Sequence, residues 1–145
     1  MILTELGMLT ISTWLYWIAS IAMLLIGLLY AFMPRVMPYH LKALETTWEE
    51  IDPNYQRLLK ALLNGGGYFG ASTGLFMVIL LLIPFRAGDS WAGYAIGSIG
   101  LVGSLPLGAI VYSIKKNTAG NPPLGVMIAL NTMLIAGLVL FVIGQ

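Results

Sequence analysis

Polar and apolar positions along the chain fall into long blocks rather than a short-period alternation. Four stretches without a charged side chain, 6–34, 61–85, 90–114 and 117–145, are separated by brief polar or mixed segments. A helix that crosses the hydrocarbon core of a bilayer needs roughly 20 predominantly apolar residues. All four stretches meet that length, and they predict helices over about 9–33, 60–83, 91–114 and 123–144. None shows the alternating polarity of a membrane strand, which would be about 10 residues long. The expected fold is an all-α integral membrane protein, a four-transmembrane-helix bundle forming a single domain over 1–145.

The polar breaks have their own pattern. Pro34 and Pro38 end the first span, since proline lacks a backbone donor and disfavours helix in the residue before it. Beyond them Leu41, Leu44, Trp48 and Ile51 recur at spacings of three, four and three. That spacing predicts a short amphipathic helix over about 39–51 with an apolar face, Trp48 at headgroup depth. Asp52 then reads as an N-cap and Pro53 as the first helical residue. A helix from Pro53 to just before Pro84 is about 46 Å long, so its first turns, with Tyr55, Gln56, Arg57 and Lys60, should project beyond the membrane.

Composition supports the membrane reading. Hydrophobic residues make up 59% of the 145 and charged residues 9%, with a mean hydropathy of +0.89. Soluble domains carry about 25% charged residues. A net charge of +1 gives no electrostatic case for nucleic acid as a partner. The absence of cysteine removes disulfides, thiol chemistry and thiolate metal sites. No Lys or Arg precedes the first span, and its apolar run is about twice a typical signal core, so it should remain as an anchor. Arg35, Lys42, Arg57 and Lys60 follow the first span, Lys115 and Lys116 follow the third, and only Arg86 falls on the opposite side. The positive-inside rule therefore places loops 34–59 and 115–122 in the cytoplasm and both termini outside, in a bacterial inner membrane. The rule counts basic residues, so Glu45, Glu49, Glu50 and Asp52 do not reverse it.

Small residues suggest how the spans meet. Gly66, Gly70 and Gly74 repeat every four residues in the second span. Gly93 and Gly97, then Gly100, Ser104 and Gly108, do so in the third, and Gly125 and Ala129 in the fourth. Such stripes let helix backbones approach closely. They serve packing within the chain or docking of a second protein or a second copy. Pro106 predicts a kink in the third span.

Candidate chemistry is sparse. Glu5 lies at the outer end of the first span and Arg86 and Asp89 in a turn, so no ionisable group sits deep in a span as an ion pathway would require. Proton-coupled export of the small multidrug type, which relies on an acid in the first helix, is disfavoured. The single histidine, His40, excludes bis-histidine haem and has no HExxH partner. On a helix His40 and Glu45 would point about 140° apart, which is not a shared ligand face. No catalytic or metal residue is assigned. What remains is a set of polar groups near mid-span: Ser20, Ser72, Thr73, Ser104, Asn131 and Thr132. They serve interhelical hydrogen bonds or a small polar pocket that holds a lipid or quinone by its head.

With this plan, and with segments such as MPYHLKALETTWEE and IPFRAGDSWAGYAI, the chain resembles small bacterial four-helix membrane proteins of the DoxX-like type. The resemblance covers most of the chain as an arrangement and transfers no catalytic residue. It implies an accessory role or a link to quinone-dependent oxidation. The first expectation is a non-catalytic accessory or interaction subunit, a homo-oligomer or part of a larger complex. It would dock through Gly66, Gly70, Gly74, Gly93 and Gly97 and through His40, Leu41, Leu44 and Trp48. The alternative is a lipid- or quinone-binding protein with a redox connection, and a small transporter comes third. No resident cofactor is evident beyond a bound lipid or quinone.

Overall fold

The computed structural model describes residues 2–145, apart from the side chains of Ile2, Leu3 and Glu5. The expected placement of Glu5 lies outside the described residues. Every regular element among the described residues is helical: α1 (Ile2–Ala31), α2 (Pro38–Ala43), a 3-10 turn (Trp48–Glu50), α3 (Pro53–Leu80), a π turn (Leu81–Phe85), α4 (Ser90–Asn117) and α5 (Leu124–Gly144). α1, α3 with its π turn, α4 and α5 are each long and apolar enough to cross a membrane. At 1.5 Å per residue even α5, with 21 residues, reaches about 31 Å, the thickness of a hydrocarbon core.

Local chemistry sets the ends. Asp52 caps α3 by accepting the Asn54 backbone N–H at 2.8 Å, and Pro53 occupies the first turn, where no backbone donor is needed. Pro84 does not stop α3 as sequence reasoning expected. The helix widens into the π turn and carries the proline to Phe85, which relieves the clash of its ring with the preceding turn. Gly88, at φ +90°, then reverses the chain into α4. α4 is continuous through Pro106.

The four long helices form a ring in chain order, α1 against α3, α3 against α4, α4 against α5, and α5 back against α1. The closest seam is α1–α3. A Cβ atom on Gly27 would overlap the backbone of Ala71, one on Gly67 that of Tyr30 and Ala31, and one on Gly74 that of Leu24. The expected stripe of Gly66, Gly70 and Gly74 is thus corrected by one helical position at its start. Gly66 faces open space, and Gly67 makes the contact. Tyr16, Met23, Met77, Ile96, Leu134 and Phe141 fill the centre. Large apolar side chains such as Trp14, Phe32, Phe69, Phe76, Val102 and Ile128 point outward on all four helices. An apolar surface that extensive calls for apolar surroundings.

The connection from α1 to α3 differs from the single amphipathic helix expected over 39–51. α2 ends after six residues, Glu45 adopts the left-handed conformation at φ 52°, and a separate 3-10 turn follows. Thr46 and Thr47 explain the break. The Glu50 carboxylate accepts the Thr47 backbone N–H at 2.9 Å and the Thr46 hydroxyl at 3.0 Å, so both groups serve the start of a new turn. Leu41, Trp48 and Ile51 are half-buried, whereas Leu44 is 51% exposed and leaves their common face.

Candidate functional site

Six polar residues near mid-span were candidates for one pocket, and the fold does not gather them into one. Ser20 is buried and donates to the Tyr16 carbonyl of its own helix at 2.6 Å. Thr73 likewise donates to Phe69 O at 2.9 Å, with its methyl against Gly103. Ser72, about 100° further round the same helix, is exposed. Only Ser104 and Asn131 meet. The Ser104 hydroxyl donates to Asn131 Oδ1 at 2.8 Å, and Asn131 Nδ2 donates to Met127 O at 2.8 Å. This pair joins α4 to α5 and turns the amide away from an unpaired state that apolar surroundings would penalise.

Beside that pair lies an open lateral groove of about 450 Å³ between α4 and α5. Its α4 wall is Leu105, Gly108, Ala109 and Tyr112, the i, i+3, i+4, i+7 positions of one face. Its α5 wall follows the same rule, from Leu124 through Ile128, Asn131 and Thr132 to Ile135. Asn131 and Thr132 are its polar side chains at mid-helix, and the remaining lining is apolar apart from the Tyr112 hydroxyl at one end. Gly108 lets the Asn131 amide lie close to α4, since a Cβ there would stand 3.4 Å from Nδ2. Such a groove suits a long apolar molecule carrying one or two hydrogen-bonding groups.

Two interior polar residues escaped the sequence reading. Ser12 is fully buried and donates to Gly137 O at 2.7 Å, joining α1 to α5. The fully buried Tyr16 donates to Gly93 O at 3.0 Å, joining α1 to α4. Their signal was present in the spacing of Ser12, Tyr16, Ala19, Met23 and Gly27, which is the buried stripe of α1.

The glycines expected to dock a partner are largely used inside the bundle. Gly74 packs against Leu24, and a Cβ on Gly70 would stand 3.5 Å from Gly27 Cα. Gly93 lies against the Phe141 ring, Gly97 against Leu138 and the Tyr16 hydroxyl, and Gly100 against Leu134 and Met77. Gly66 and Gly125 alone among the proposed stripes face open space with Ala129 exposed nearby in sequence.

At the loop end, His40 belongs to an aromatic cluster rather than an exposed face. Its ring lies 4.1 Å from that of Tyr39 and 6.4 Å from that of Tyr30, and the two tyrosine hydroxyls share a hydrogen bond. His40 Nδ1 is buried without a hydrogen-bond partner. Burial lowers the His40 pKa below 6.5 and, together with the Tyr30 hydroxyl, raises that of Tyr39. Gly120, in the α4–α5 connection, packs closely on Tyr39 O and Ala43. Outside this cluster Arg35, Leu41, Lys42, Trp48 and Glu49 border an open depression of about 760 Å³, crossed by an exposed Arg35–Glu49 ion pair at 3.4 Å. Among the described residues no group of three His, Asp or Glu side chains is placed to hold a metal ion.

No family model matches the chain, and the comparisons with curated proteins and with solved structures found no match.

Proposed function

We propose that the chain is a small polytopic protein of a bacterial inner membrane that binds an apolar amphiphile, a lipid or a quinone, in the groove between α4 and α5. The observation that carries this reading is the long, largely apolar lateral groove between α4 and α5, bordered at mid-helix by the Ser104–Asn131 pair. The loops at 34–59 and 115–122 face the cytoplasm in this reading and the termini face outside, because six of seven basic residues lie in or next to those two segments. The protein acts by binding rather than by catalysis. The DoxX-like resemblance belongs to the same proposal and contributes its general plan.

The test is native mass spectrometry of detergent-solubilised protein after incubation with dioleoyl phosphatidylglycerol or with a decyl-chain quinone. The wild type should hold at least one of them, and Ala109→Phe, which fills the groove from its α4 wall, should lose most of that adduct. Adducts of equal abundance in both proteins would sink the reading.

A second reading, docking of a partner protein on the 34–52 connection, is favoured by exposed Leu44 beside the polar rim of the loop-side depression. Crosslinking from position 44 in whole membranes should then return a discrete heteromeric product. A ladder of random products would count against it.

A further inference from the structure

The groove has the length and the charge of a site for one leaflet's worth of lipid. From Leu124 to Ile135 it runs eleven helical steps along α5, about 16 Å at 1.5 Å per step. That is about half of a ~30 Å hydrocarbon core, the depth that one acyl chain occupies. The groove starts at the first residue of α5, beside the α4–α5 connection, and ends at the helix midpoint. An occupant that matches this span has its polar end at the connection and its tail end at mid-membrane.

Charge at the polar end is one-sided. Lys115 and Lys116 are in the last turn of α4 and are exposed. Lys116 continues the face of Leu105, Gly108, Ala109 and Tyr112, and its Nζ stands 6.0 Å from the centroid of the Tyr112 ring that lines the groove. From Ser90 to Gln145 the chain contains no Asp or Glu, so these two ammonium groups are the only charged side chains of the α4–α5 hairpin. Neither is ion-paired, since Arg35–Glu49 is the one ion pair among the described residues. The side chains that follow are bonded back to α4, Asn117 Nδ2 donating to Ser113 Oγ and the Thr118 hydroxyl to Ile114 O, which leaves the lysines as the free groups of this end.

We infer that the occupant of the groove is an anionic phospholipid of the leaflet on the α4–α5 connection side. Its phosphate pairs with Lys115 and Lys116, its glycerol region lies over Tyr112, and one acyl chain lies in the groove as far as Asn131 and Ile135. This inference rests on the groove reading above and adds the class of head group. A quinone has no anionic group for the lysines to recognise, and a zwitterionic lipid offsets its phosphate with its own cation.

The experiment mixes phosphatidylglycerol, phosphatidylcholine of identical acyl chains and a decyl-chain quinone in equal amounts and reads the bound species by native mass spectrometry of the full chain. Two basic residues near an anionic head group predict a preference of roughly thirtyfold for the wild type. K115Q/K116Q should reduce it to about onefold with total lipid retained, whereas K115R/K116R should keep it. Unchanged thermal unfolding of the Gln variant shows that the bundle is intact, and if that variant fails to fold, the same comparison is made with K116Q alone. A preference that survives removal of the charge, or a quinone that outcompetes both lipids, overturns the inference and leaves the groove reading in place. Equal retention of lipid by the wild type and Ala109→Phe overturns both.

Discussion

The Tyr16 hydroxyl donates to the backbone oxygen of Gly93 at 3.0 Å, joining α1 to α4 across the centre of the bundle. The ring reaches this position because its neighbours are small. A Cβ on Gly97 would stand 2.9 Å from the hydroxyl, and one on Gly137 would stand 2.9 Å from the ring. An aromatic side chain and three glycines thus form one packing unit shared by α1, α4 and α5. Tyr16→Phe keeps the ring and removes the hydrogen bond, so it should cost about 0.5–1.5 kcal/mol. Gly137→Leu must displace the ring and should cost more, about 1–3 kcal/mol. Unfolding midpoints in detergent check the order.

The α1–α3 seam gives a sharper comparison. Gly74→Val places new atoms against the backbone of Leu24, which cannot rotate away, and should destabilise by about 3 kcal/mol or more. Gly66→Val lies in open space and should stay within about 1 kcal/mol of the wild type. The two variants differ only in position on one helix. Thermal unfolding of the pair shows which glycines form the seam, and equal losses would contradict the observed register.

Ser104 and Asn131 should be energetically coupled. Single variants Ser104→Ala and Asn131→Leu each break the α4–α5 bond, and the double variant should be better than the sum of the two by about 0.5–1.5 kcal/mol. A double-mutant cycle on unfolding free energy reads this directly. Additive losses would mean that each residue bonds only to its own helix.

Acidification should loosen the connection before it affects the bundle. His40 has a folded pKa below its ordinary 6.5 because burial disfavours the imidazolium. Just below pH 6.5 the unfolded segment therefore binds more protons than the folded one, and stability falls as pH falls. The hydrogen-exchange protection factors of residues 36–46, taken relative to the intrinsic rate at each pH, should fall between pH 7 and the folded pKa, and His40→Phe should flatten that response. Glu50 acts in a separate window. The Thr47 backbone N–H, followed by the Thr46 hydroxyl, holds its carboxylate below 4.5, so its contribution persists above pH 4.5 and disappears as pH falls through the lower folded value.

Charge-free length made the four long helices readable, because an apolar run that long has few other stable fates. Phase was harder. Gly65, Gly66 and Gly67 are consecutive, so neighbouring stripes on α3 compete in a sequence reading, and the regular spacing of Gly66, Gly70 and Gly74 stands out. Gly27 and Ala31 on α1 select the one containing Gly67, and that information lies on the partner helix. In the connection, the spacing of Leu41, Leu44, Trp48 and Ile51 suggested one continuous face, yet Thr47 followed three residues later by Glu50 is a helix-start signature inside it. The local cap outweighed the periodicity because the apolar face is short and Leu44 gains little by burial there. Of the groove, Asn131 was legible as a costly amide needing a partner. Its partner Ser104 was one of several hydroxyls at similar depth, so the choice waited on helix rotation.

The five-residue π turn at Leu81–Phe85 also sets the angular phase of the chain as it leaves α3. One residue more or fewer in a helix shifts all that follows by about 100°. With the turn as it is, Phe85 lies 6.3 Å from Tyr16 and 5.7 Å from Phe141, closing an aromatic lid over the end of the core. Were the same five residues wound as regular α-helix, Phe85 would swing about a quarter-turn out of that lid, with the Gly88 reversal and the entry of α4 swung along with it. The wide turn works as a clocking device: one inserted position sets the azimuth at which the second half of the bundle docks onto the first.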